Sequence, residues 1–86
     1  SMPIAGELTI YTVAQRKAEV LAAFAGETGD AVDLSGITDL DGAGVQLLMF
    51  AEAAARAQGR TTGWRDPSRV AVEALGVAGL APKAGQ

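Results

Sequence analysis

The sequence predicts a small single-domain α/β fold, a mixed β-sheet with helices packed mainly on one face. Three observations predict it. Short stretches of alternating polar and apolar residues recur along the chain, and each is followed by a stretch with helical periodicity. The joins between them are brief and rich in Gly, Ser, Thr and Asp. The chain has 86 residues, and a chain of this size buries only about 60–65% of its unfolded surface, which suits one thin two-layer domain over residues 3–82. Ser1 ahead of Met2 reads as a residue left by tag removal, followed by the start residue.

Each element has its own signal. Glu7-Leu8-Thr9-Ile10-Tyr11 alternates as a half-covered strand does. Thr12 is a candidate N-cap for a helix over Val13 to Ala25, whose apolar stripe runs through Val13, Ala14, Ala18, Val20, Leu21 and Phe24. Gly26 and Gly29 break that helix. Ala31 to Leu34 reads as a second strand, bounded by Ser35-Gly36. After Ile37 comes a loop, Thr38 to Gly44, and then a helix from about Ala43 to Gln58 that stops at Gly59. Arg60 to Trp64 reads as a third strand, with Trp64 a partly buried anchor. Asp66-Pro67 is a helix-start pair, a capping residue followed by Pro at the first helical position. The third helix runs to Gly76 or Gly79. The order is β-α-β-α-β-α. Much of the apolar content is Ala, so the core rests on a few large side chains, among them Leu8, Ile10, Leu21, Phe24, Leu34 and Leu48.

Composition narrows the functional classes. The formal net charge is −3 with Lys and Arg scattered, whereas nucleic-acid binding requires a basic strip. There is no Cys and no His, so the usual zinc ligand sets and disulfide frameworks have no residues to form them. No cofactor is expected. No apolar run approaches about 18 residues, so direct membrane insertion is not expected and the cytoplasm is the expected compartment.

The stretch Val32 to Gly44, reading VDLSGITDLDGAG, carries a family resemblance. It resembles the STAS domain, shared by anti-sigma-factor antagonists, subunits of lipid-transport complexes and the tails of anion transporters. The family pattern there is a strand ending in Asp-Leu-Ser, a hydrophobic residue, then Asp, Ser or Thr, a small residue, and Gly opening a helix. Gly6 to Thr12 resembles the strand that leads the family's first helix, and Gly59-Arg60 and Asp66-Pro67-Ser68 resemble a later strand-to-helix junction. The resemblance implies a bacterial regulatory binder whose partner is an anti-sigma factor, a kinase-like regulator or another signalling protein. A second implied role is an accessory subunit of an ABC-type lipid-transport complex, with a transport ATPase as partner. The antagonists carry a phosphorylated Ser or Thr directly after the motif's Asp. Here Gly42 stands at that position and Ala43 follows, so no hydroxyl is present to take a phosphate. The loop should behave as permanently unmodified.

The same residues can be read without the family. Asp41 suits an N-cap. Gly42 and Gly44 are weak helix formers in a first turn, each costing about 1 kcal/mol against Ala. Close approach by a partner would offset that loss, and so would close packing within the domain. On a helical projection Leu47, Leu48, Ala51, Ala54 and Ala55 share the core side, while Gln46, Glu52 and Arg56 lie opposite, with Glu52 and Arg56 spaced for an i,i+4 pair. Val45 and Met49 fall in that polar sector, with Phe50 at its border. Isolated exposed apolar residues are common, but these two follow the loop directly and would extend it into one patch. The candidate partner-binding residues are therefore Asp39, Asp41, Gly42, Ala43, Gly44, Val45 and Met49. Catalysis is not expected. The chain has no nucleophile beside a base, and Asp39 and Asp41 lie in an exposed turn, whereas general acid chemistry calls for a buried carboxyl.

Overall fold

The computed structural model describes residues 3–26, 31–60 and 63–79. The elements are β1 (Gly6–Leu8), α1 (Val13–Phe24), β2 (Val32–Asp33), β3 (Ile37–Leu40), α2 (Gly42–Ala57), β4 (Trp64–Arg65) and α3 (Arg69–Val77). Strand β1 pairs in parallel with β3, and β2 in parallel with β4. A parallel bridge between Pro3 and Asp33, with the Ile4 amide donating to the Asp33 carbonyl at 3.0 Å, ties the segment before β1 to β2. Helix α1 lies against α2, and α3 against β3.

The fold differs from the sequence reading where local chemistry is decisive. Strand β1 ends at Leu8 because Thr9 to Thr12 form a turn. The amides of Thr12 and Val13 both donate to the Thr9 carbonyl at 2.8 Å, and the Thr9 amide donates to Thr12 Oγ1 at 3.0 Å. This turn lifts Ile10 and Tyr11 off the sheet, so Ile10 is 62% exposed and does not belong to the core. Thr12 holds the N-cap place but makes no side-chain bond to the helix, since its hydroxyl is engaged with Thr9 and Glu7 in the turn. Residues Thr38 to Leu40, read as the loop's beginning, belong instead to β3, which starts at Ile37. Only Asp41 separates that strand from α2, so the segment Asp39 to Gly44 is a strand end, a cap and a first helical turn.

At the third helix the cap is Ser68, whose Oγ accepts from the Ala71 amide at 3.1 Å; it is not Asp66. Asp66 instead turns the chain with φ 51°, after which Pro67 leads into the cap. The strand read over Arg60 to Trp64 is Trp64–Arg65; Thr61 and Thr62 lie outside the described residues, as do Ser1, Met2 and the tail from Leu80.

The core is a single cluster in which Ile4, Leu8, Phe24, Leu34, Leu48 and Leu75 are fully enclosed. Trp64 is buried as well, and its indole Nε1 has no hydrogen-bond partner among the described residues. Arg16 fastens α1 to β1. Its guanidinium donates to the carbonyls of Ala5 and Glu7, both at 2.7 Å, and makes a two-point pair with Glu19. The Glu19 bond and charge raise the Arg16 pKa, and the reciprocal bond lowers that of Glu19.

Candidate functional site

The start of α2 is assembled around Asp41. Its Oδ1 accepts from the Gly44 amide at 3.0 Å, satisfying one of the helix's free N–H groups, and its Oδ2 accepts from the Ile10 amide at 3.0 Å. One carboxylate therefore caps α2 and also fixes the turn after β1. Both bonds favour the ionised form, and the Ile10 amide, followed by that of Gly44, holds the Asp41 carboxyl below the usual carboxylate range. Asp33 is set in the same way: its Oδ1 accepts from the Ser35 amide at 2.8 Å, and its pKa is lowered chiefly by that bond.

The two glycines of the first turn have different reasons. At Gly44 a Cβ would collide with the Leu8 carbonyl and lie 2.6 Å from Leu40 Cδ1. Gly44 is buried, and its absent side chain lets α2 sit directly on β1. It belongs to internal packing and not to an exposed contact. Gly42 is exposed, with none of the described residues within 4 Å of where a Cβ would stand. Ala43 is half-buried, and Asp39 is exposed on β3.

Val45 is not on the surface. It is 2% exposed, while Met49, four residues on, is 44% exposed. The projection assigns them one sector, but α3 lies along the N-terminal half of α2, and Val45 lines a groove there together with Ala74, Val77 and Ala78. Glu52 and Arg56 do pair, at 3.5 Å.

Other exposed apolar residues gather around the same helix start. Ile10 and Phe50 line a groove between α1 and α2, where Lys17 Nζ stands 5.4 Å from the Phe50 ring centroid. Phe50 is 54% exposed and Tyr11 86%. On the other flank, a groove of about 550 Å³ between α2 and α3 is bordered by Gly42, Met49 and Val77. Gln46 lines both grooves. The sequence signal for Ile10 and Tyr11 lies in Thr9 and Thr12, a pair of turn-forming hydroxyls flanking them. For Val77 the sequence carries no such signal.

A family model described as "Mlab, STAS domain" matches residues 1–82. The chain belongs to the STAS domain family. Comparison with curated proteins and with solved structures gives no match. In this STAS domain the backbone at the Asp41-Gly42 junction leaves Gly42 facing open space. STAS domains are in general binding domains, and no helix among the described residues is long and apolar enough to cross a membrane.

Proposed function

We propose that this STAS domain is a non-catalytic cytoplasmic module that docks on another protein through the start of α2, with Asp39, Asp41, Gly42, Ala43 and Met49 in the contact and Ile10 and Phe50 widening it. The observation that carries this reading is the uncovered helix start: Gly42 leaves room for a partner's backbone, and Met49 and Phe50 are exposed beside it. An exposed apolar set around a rigid helix end is what a modest protein contact requires. Gly44 and Val45 support the surface from beneath. Lacking a hydroxyl at residues 42 and 43, the domain binds without the phosphate switch of the antagonists. The first partner class is a kinase-like regulator or other signalling protein.

A second reading, an accessory subunit under a lipid-transport ATPase, is compatible with that same missing hydroxyl. A subunit held permanently in a complex has no need of a switch.

Affinity capture from the source cell separates the two readings by the identity of the protein retained. Met49→Asp leaves the fold intact and weakens capture, and so does Gly42→Glu. If capture survives both changes, the docking surface is elsewhere.

A further inference from the structure

We propose that a second copy of this chain packs antiparallel on the exposed face of α2, and that this self-association covers the docking surface. The regulatory consequence rests on the docking reading; the dimer itself rests on the helix face.

Gly42, Gln46, Met49, Ala53 and Arg56 are spaced by four, three, four and three residues, and all five are exposed. That spacing draws one straight stripe along a helix, about 21 Å long at 1.5 Å per residue. The stripe is built to meet another helix closely: Gly42 and Ala53 are small, Met49 is a deformable apolar side chain, and Gln46 is neutral. Beside it lies the groove bordered by Met49 and Val77, roomy enough to receive a methionine from a facing helix.

Charge selects the occupant. The N-terminal end of α2 is capped by the carboxylate of Asp41, with Asp39 two residues before it on β3, and its C-terminal end carries Arg56, whose side chain is 66% exposed and only loosely paired with Glu52 at 3.5 Å. Between Gly42 and Ala51 the helix has no charged residue. An antiparallel copy sets Arg56 of each chain near Asp41 of the other, twice over by the twofold symmetry, and brings the two Met49 side chains to the axis. It also opposes the two helix dipoles. A parallel copy would set like charge on like charge. A shift of one helical turn leaves the acidic and basic ends still matched.

With its Gly42 contact covered, a dimer cannot hold a partner through the same face. Concentration would then set the free fraction of a domain that has no phosphate switch.

Sedimentation equilibrium of the purified wild-type chain tests this. The expected result is a reversible dimer of the 8.7 kDa chain that weakens as salt is raised. Met49→Asp abolishes it, and Arg56→Glu weakens it about tenfold through two lost exposed pairs and two repulsions. Arg56→Glu retains partner capture, because Arg56 lies two turns beyond Met49. A chain that stays monomeric at every concentration, or a dimer indifferent to both substitutions, overturns the proposal. If the wild type stays monomeric while Met49→Asp loses its partner, the dimer falls and the docking surface stands. If the dimer forms while capture ignores Met49→Asp, the reverse holds.

Discussion

The Asp41 carboxylate accepts the Ile10 amide at 3.0 Å across thirty-one residues of sequence, joining the turn after β1 to the first turn of α2. That join holds two parts of the candidate surface together. It fixes Ile10 and Tyr11 beside α2, and through Oδ1 it fixes the Gly44 amide and hence the direction in which Gly42 faces.

Asp41→Ala should therefore cost more than an ordinary surface change. It removes the cap of α2 and the anchor of the turn together, and the thermal midpoint falls by several degrees. Scanning calorimetry of the two proteins measures it.

The pH dependence follows from the same bonds. Asp41 and Asp33 have folded pKa values below their unfolded ones, so their contribution to stability is complete above the ordinary carboxyl range and is lost as pH falls through the lower folded values. Urea midpoints of the wild type should decline on acidification below about pH 5. The Asp41→Ala protein should decline less steeply over the same range.

Gly44 and Gly42 respond oppositely to the same substitution. Gly44→Ala drives a Cβ into the Leu8 carbonyl, forcing α2 off β1 at a cost of several kcal/mol, on the order of 3 or more. Gly42→Ala meets open space and stiffens the unfolded chain, stabilising by up to about 1 kcal/mol. Chemical denaturation of both variants decides it.

Val45 and Met49 make a similar contrast. Val45→Asp buries a carboxylate in the core and should leave little folded protein, a loss of roughly 3 kcal/mol or more. Met49→Asp places its charge in solvent and should leave the circular dichroism spectrum and midpoint nearly unchanged, within about 0.5 kcal/mol.

Helices α1 and α2, the cap at Asp41 and the Glu52–Arg56 pair are all legible in the sequence, because each follows from local chemistry. Strand β3 is not. Its middle residues Thr38 and Asp39 are both exposed between buried Ile37 and Leu40, which breaks the alternation that marks a half-covered strand. The exposure of Ile10 is set by a turn that hydroxyl and amide groups of Thr9 and Thr12 close on one another. Val45 escapes a helical projection for a tertiary reason: the projection assumes one covering partner along the helix, whereas α3 covers only the first half of α2. The same asymmetry leaves Met49 half-exposed and makes it the better probe.

The most direct measurement is capture of the natural partner by the wild-type chain, Met49→Asp and Gly42→Glu in parallel, each first shown to be folded. The docking surface predicts strong retention by the wild type and a marked loss in both variants. Equal retention by all three would contradict it.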